Sequence, residues 1–162
     1  MLPIICFVGD SGSGKTTLLE KVVGGLSKRG VRVAAVKHTH HDVPLDTPGK
    51  DTARLARAGS EVVALITSKG LAWFQPTEEE PPLTELAATL EGRVDIILAE
   101  GYKHSDHPKI EFVKPGALPA SPASELIAVV SDGEASVEVP RFSRDDIEGI
   151  LGFLLERLPI SS

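Results

Sequence analysis

A layered α/β sandwich on a mostly parallel, twisted sheet is the architecture that three features of this chain predict. Short apolar runs alternate with segments whose apolar residues recur at helical spacing. The runs are rich in Ile, Val and Leu without polar alternation, as expected of strands covered on both faces. Polar and glycine-rich clusters follow the runs, at the carboxyl ends where such sheets bind ligands. No internal repeat or compositional break appears, so residues 1–162 are expected to form a single domain.

Residues 3–8, "PIICFV", read as the first strand, and "GDSGSGKTT" follows. Leu18, Leu19, Val22, Val23 and Leu26 then mark an amphipathic helix that Gly30 ends. "VRVAAV", 31–36, reads as a second strand and 37–50 as a polar loop. A short helix is expected over 51–58, closed by Gly59, then a strand over 61–67. "LAWF", 71–74, reads as another strand, forming an edge or hairpin, with Trp73 and Phe74 as core or dimer contacts. "LTELAATLEG" predicts a helix ending at Gly92, and "VDIILAEG", 94–101, a buried strand with Asp95 as an edge or capping residue at its start. A loop carrying His104, His107 and Lys109 precedes the short strand "IEFV". The Pro/Gly/Ala/Ser-rich segment 114–124 reads as an exposed excursion. "ELIAVVSD" is the last buried strand, and "SRDD", 143–146, a capping-box-like start for a final helix.

Composition narrows the function classes. A net charge of −6 disfavours general affinity for nucleic acid or an anionic membrane surface. The single cysteine, Cys6, lies within an apolar run, so no internal disulfide forms and a reducing, cytoplasmic setting is expected. "MLPIICFVG" is apolar but lacks a basic leader and a small-residue cleavage site, so it reads as a strand rather than a signal peptide. No apolar run approaches the roughly 18 residues that span a bilayer.

"GDSGSGKT", Gly9 to Thr16, matches G-x-x-x-x-G-K-[ST] between an apolar strand and an amphipathic helix. Gly9, Gly12 and Gly14 let the backbone curl so that successive N–H groups face phosphate oxygens. With Ser13 they form the cradle, and the helix N-terminus adds partial positive charge. Lys15 is expected to reach the β- and γ-phosphates, Thr16 to coordinate Mg²⁺, and Thr17 to contact the α-phosphate. The sandwich is therefore expected to be of the P-loop NTPase kind. The matching acidic residue closes a buried strand: Glu100, to hold Mg²⁺ through water or orient a water, where Asp is usual. Gly101 is expected to turn its own N–H toward the γ-phosphate.

The loop "KHTHHDVPLD" follows strand two on the same side of the sheet. Asp42 and Asp46 are candidate outer Mg²⁺ ligands, and Lys37, Lys50 and Arg54 candidate phosphate or substrate contacts. Three readings stay open for His38, His40 and His41: a nucleotide- or substrate-facing loop, surface histidines, or a transition-metal site. His38 and His40 supply only two ligands for the last of these. The Asn-Lys-x-Asp guanine signature is absent; Ser131 and Asp132, ending the last buried strand, are the candidates for reading guanine N1–H and N2–H₂, the other reading being a turn starter.

The ordered set "GDSGSGKTTLLEK", "KHTHH", "DTPGKDTARLARAG", "DIILAEGYKH", "PKIEF" and "AVVSD" resembles the molybdopterin-guanine dinucleotide biosynthesis protein B family from Pro3 to about Asp132. The resemblance implies a P-loop α/β domain, commonly a homodimer, that binds GTP with Mg²⁺ and hydrolyses it weakly. It implies an accessory of the guanylyltransferase that joins GMP to molybdopterin, bringing GTP or the cofactor to it. By position, Gly12, Ser13, Gly14, Lys15, Thr16 and Thr17 fall in the phosphate loop, Glu100 and Gly101 in the second acidic motif, and Lys37, His38, His40, Asp46, Lys50 and Asp51 in the polar loop. That polar loop suits the anionic, phosphorylated molybdopterin as a bound ligand. Segment 114–124 departs from the family pattern. A metallochaperone-type GTPase with a His-loop metal site and a small-molecule kinase are the competing readings.

Overall fold

The computed structural model describes residues 2–39 and 51–159. The chain forms two compact units, Met1–His38 with Thr84–Ser162, and Thr39–Leu83.

The first unit is built on β1 (Ile4–Gly9), α1 (Lys15–Lys28) and β2 (Val33–Lys37). Elements α2 (Asp51–Arg57), β3 (Val63–Thr67) and β4 (Gly70–Phe74) intervene in the chain. It continues with α3 (Leu83–Leu90), β5 (Ile96–Glu100), β6 (Lys109–Phe112), β7 (Leu126–Val130), β8 (Arg141–Phe142) and α4 (Ile147–Leu155). Six strands form one sheet in the order β2-β5-β1-β6-β7-β8, and every described pairing in it is parallel. The continuous apolar runs take the central places: β1 and β5 are buried along almost their whole length.

Alternate residues of the strands face one core. Ile5 and Phe7, Ile96 and Leu98, Ile110 and Phe112, Ala128 and Val130 pack with Leu18, Leu19, Val22 and Leu26 of α1 and Ile150, Leu151, Phe153 and Leu154 of α4. Gly25 sets the helix contact, because a Cβ there would lie 2.6 Å from Leu151 Cδ1. α4 starts at a single cap: the Asp146 side chain accepts the Gly149 N–H at 3.0 Å.

The boundaries depart from the expected ones for identifiable reasons. β2 begins at Val33, two residues late, because Arg32 is held by Asp95, which accepts its backbone N–H at 2.7 Å and pairs with its guanidinium at 2.6 Å. Asp95 thus ties down the far end of β5, as expected of an edge residue. β8 has no sequence signature; it forms because Pro140 and Phe142 carbonyls accept the N–H groups of Val129 and Ser131. Lys109, expected in the loop, is fully buried at the start of β6, with Nζ bound to Glu125 and to the Ser105 carbonyl. It is a structural cation. Burying it demands both partners, because an unpaired interior ammonium is strongly destabilising.

The second unit carries α2, with no buried residue, and an antiparallel β3–β4 hairpin in the register Val63↔Phe74 to Thr67↔Gly70. The strand over 71–74 is therefore one arm of a separate hairpin. Trp73 is 64% exposed within the chain, and Ile66 and Leu71 are exposed beside it, so none of the three is a core residue here. No described helix is long and apolar enough to cross a membrane.

Where β1 meets the loop that follows, Gly9 has φ +139°, and a Cβ there would lie 2.8 Å from Phe112 Cβ and 2.9 Å from its carbonyl oxygen. Gly9→Ala is expected to lower unfolding free energy by about 2–5 kcal/mol through backbone strain and overpacking. Urea denaturation measures this; an unchanged midpoint contradicts it.

Candidate functional site: the phosphate loop and its carboxylate

The loop between β1 and α1 curls through Gly12 (φ +72°) and Gly14 (φ +90°), conformations that side chains strain to adopt. Gly14 is the N-cap of α1 and offers no side-chain cap to the first turn. The first-turn N–H groups are thus left without a side-chain acceptor at the positive end of the helix dipole, which is the chemistry of an anion receptor. Lys15 folds back onto the loop. Its ammonium donates to the carbonyls of Gly9 (3.1 Å) and Asp10 (2.6 Å) and to Ser13 Oγ (3.2 Å). It is half-buried rather than fully exposed. Burial lowers its pKa; the Lys103 and Lys37 charges act in the same direction, against Glu100 and Asp10.

Glu100 ends β5 in register with Lys37 of β2 and Phe7 of β1, so three strands deliver it to the loop. Its carboxylate is buried, 7% exposed, and both oxygens are engaged. Oε2 accepts the Thr16 hydroxyl at 2.7 Å, and Oε1 the Lys37 ammonium at 2.5 Å. Burial pushes this carboxyl up. The hydrogen bonds from Lys37 and Thr16, with the charges of Lys37 and Lys15, outweigh that and hold it below the ordinary value.

A cleft of about 370 Å³ is lined by Ser11, Gly12, Gly14, Lys15, Thr16, Thr17, Lys37 and Glu100. The structure thus gathers the predicted phosphate, lysine and acidic residues around one space. Thr16 and Glu100 present a hydroxyl and a carboxylate already in contact. Both are hard oxygen donors of the kind Mg²⁺ takes, with waters and phosphate oxygens completing its shell. The residues fit that ion.

Gly101 is used differently from the expectation. Its N–H donates to the Phe7 carbonyl at 3.0 Å, extending the β1–β5 ladder, and so does not point at a phosphate. Its role is steric: φ is +105°, and a Cβ would lie 3.0 Å from His38 Cβ. His38 donates its backbone N–H to Glu100 O at 2.9 Å, and its ring lies 4.6 Å from that of Tyr102. Tyr102 itself has φ +58°, unusual for a bulky residue.

Asp132 and Ser131 follow β7. The Asp132 carboxylate accepts the Arg144 backbone N–H at 3.0 Å and pairs with its guanidinium at 3.1 Å. A Cβ on Gly14 would lie 3.9 Å from Arg144 Nη1, so Arg144 connects Asp132 to the rim of the phosphate loop. Ser131 Oγ is buried without a hydrogen-bond partner. Sequence reasoning missed Arg144 because it follows β8, a strand of two residues that no apolar run announces.

His40, His41, Asp42, Asp46 and Lys50 lie outside the described residues. Arg54 pairs with Asp51 at 3.5 Å within α2. Among the described residues no group of three or more His, Cys, Asp or Glu side chains stands ready to hold a metal ion.

Residues 4–132 match the family described as "Molybdopterin guanine dinucleotide synthesis protein B". The chain is 39% identical to the "Molybdopterin-guanine dinucleotide biosynthesis adapter protein" of Escherichia coli, over 96% of this chain and 93% of that one. It is 39% identical to the protein of the same name from Haemophilus influenzae, over 70% of this chain and 67% of that one. The crystal structure of Bacillus subtilis MobB superposes with a TM-score of 0.80 at 27% identity, covering 99% of this chain and 100% of that one.

Lys37 is what makes a buried, charged Glu100 affordable. Replacing it, Lys37→Met, is expected to raise the Glu100 pKa, because burial then acts with fewer opposing groups. Because the native value is depressed, the carboxylate's stabilising contribution is full above the ordinary carboxylate range and is lost as pH falls through the native value. Carboxyl-carbon NMR titration of the wild type and Lys37→Met reads this directly; an equal or lower midpoint in the variant contradicts it.

Proposed function

Because the chain belongs to the molybdopterin guanine dinucleotide synthesis protein B family, and so serves molybdopterin guanine dinucleotide biosynthesis as an adapter, we propose that it does so by binding GTP with Mg²⁺. In this reading it presents the nucleotide to the guanylyltransferase that joins GMP to molybdopterin, as a homodimer in the cytoplasm. The observation that carries the reading is one cleft lined by Lys15, the uncapped first turn of α1 with Thr16, and the Glu100 carboxylate bonded to that Thr16 hydroxyl.

Each residue has a distinct task. Gly12 and Gly14, and Ser13 once its N–H leaves the Asp10 carbonyl, supply backbone donors to the β- and γ-phosphates. Lys15 moves from the Gly9 and Asp10 carbonyls to phosphate oxygens, exchanging neutral acceptors for charged ones and so forming stronger bonds. Thr16 and Glu100 hold Mg²⁺, which when bound neutralises charge on the phosphate tail. Lys37 keeps Glu100 ionised and lies at the same cleft, close to the incoming anion. Asp132 accepts from the guanine edge once Arg144 gives way, and Arg144 stays at the loop rim.

Hydrolysis is slow in this scheme. Both Glu100 oxygens already have partners, so the carboxylate serves as an anchor for hydroxyl, ammonium and metal and is poorly placed to take a proton from water. A protein that binds the triphosphate tightly and turns it over slowly suits an adapter better than a catalyst.

Calorimetric titration of GTP and ATP with Mg²⁺ into wild type and Lys15→Ala tests the reading. Lys15→Ala is expected to weaken GTP binding at least about a hundredfold, as loss of a charge-assisted phosphate contact implies. Its far-UV circular dichroism should stay unchanged, because Lys15 bonds only within its own loop. Wild-type preference for GTP over ATP is expected to shrink in Asp132→Ala. Equal GTP affinity in wild type and Lys15→Ala rules the reading out.

A further inference from the structure

Asp132 stands two residues past the end of β7, and Arg144 two residues past the end of β8. The strands β1, β7 and β8 run parallel in one sheet, so both residues lie along the edge that carries the phosphate loop.

Arg144 alone engages both oxygens of the Asp132 carboxylate. Oδ1 accepts the Arg144 backbone N–H at 3.0 Å, and Oδ2 pairs with Arg144 Nε at 3.1 Å. A carboxylate covered by a guanidinium is poorly placed to read a base, so guanine recognition at Asp132 requires the guanidinium to move. One destination is within reach. A Cβ built on Gly14, the N-cap of α1, would lie 3.9 Å from Arg144 Nη1. The guanidinium therefore extends from Asp132 to the rim of the phosphate loop. Among the described residues neither of its Nη groups forms a hydrogen bond.

Only the side chain has to change place. The backbone around it is pinned by the Asp132 Oδ1 contact, by the Asp146 N–H on the Ser143 carbonyl at 3.2 Å, and by the Asp146 cap of α4. The paired side chains of Arg144 and Asp132 are 47% and 50% exposed, and an ion pair so open to water is weak. A polyphosphate on the loop offers more charge than one carboxylate, and its oxygens suit the planar fork of a guanidinium.

We propose that Arg144 is a specificity-determining residue that moves from the Asp132 carboxylate to a phosphate oxygen of the bound nucleotide and thereby uncovers Asp132 for guanine. The inference rests on the nucleotide reading and couples its two halves. Guanine N1–H and N2–H₂ replace the guanidinium on the carboxylate, so every group keeps a partner. Adenine presents a bare ring nitrogen at position 1, which leaves an uncovered carboxylate unpaired and repelled. With ATP, Arg144 stays on Asp132 and the phosphate tail forgoes one contact. Discrimination between the bases is thus expressed partly at the phosphate end.

Calorimetric titration of GTP and ATP at fixed Mg²⁺ into the full chain and three variants tests the exchange. Arg144→Gln is expected to weaken GTP binding at least about fivefold, by loss of a charge-assisted contact, and to leave ATP within about twofold. Asp132→Asn keeps an acceptor for the Arg144 N–H while releasing the guanidinium. It is expected to weaken GTP binding and to tighten ATP binding severalfold, and the double variant should lose that gain. A tie between strand ends with no ligand role would shift the urea midpoint and neither affinity. Unchanged GTP affinity in Arg144→Gln, equal losses of GTP and ATP in that variant, or no gain of ATP in Asp132→Asn would each overturn the exchange. Failure of the nucleotide reading shows separately, as undiminished GTP affinity in Lys15→Ala.

Discussion

A carboxylate buried at the end of a central strand must be matched by donors, and the donors of Glu100 organise the site. Its neighbours in the sheet are fixed by register: Phe7 on one side, Lys37 on the other. Lys37 supplies the positive charge and Thr16 the hydroxyl, so β2, β5 and the start of α1 are tied together at one point. The loop between β1 and α1 is then held in place at both ends. Gly9 is pressed against Phe112 at one end, and Thr16 is bonded to Glu100 at the other. A turn restrained in this way has less freedom to lose on binding an anion, which lowers the ordering cost.

Lys15 illustrates the same economy. An ammonium with nothing to bind would extend into solvent, but here it lies on two carbonyls of its own loop. In the proposed nucleotide complex, the interactions it leaves are to neutral oxygens and those it gains on phosphate are to charged ones. The direction of exchange is set by this difference. Gly101 and His38 add a second tier beneath Glu100, since the glycine's missing side chain is what allows His38 to approach.

Much of this was legible in the sequence because it depends on short-range patterns. The phosphate loop is contiguous, its glycines are demanded by backbone conformation, and β1 and β5 declare themselves as unbroken apolar runs. Glu100 could be placed because it ends such a run. The parts that were not legible depend on contacts distant in the chain. Lys109 read as a loop residue near the site, and its pairing with Glu125, just before β7, and with the Ser105 carbonyl explains its burial. Arg144 follows a two-residue strand whose formation depends on β7 already being in place. Gly101 was assigned the right position and the wrong duty, because sequence cannot tell whether an N–H at a strand end joins the ladder or leaves it.

The central claim is that the glycine-rich turn is the receptor for a guanine nucleotide's phosphate tail, and a crystal structure grown with Mg²⁺ and a non-hydrolysable GTP analogue tests it most directly. The account predicts the β- and γ-phosphates inside the turn, Lys15 Nζ transferred from the Gly9 and Asp10 carbonyls to phosphate oxygens, and Mg²⁺ beside Thr16 and Glu100. An analogue bound elsewhere on the chain, with Lys15 still resting on those carbonyls, would contradict it.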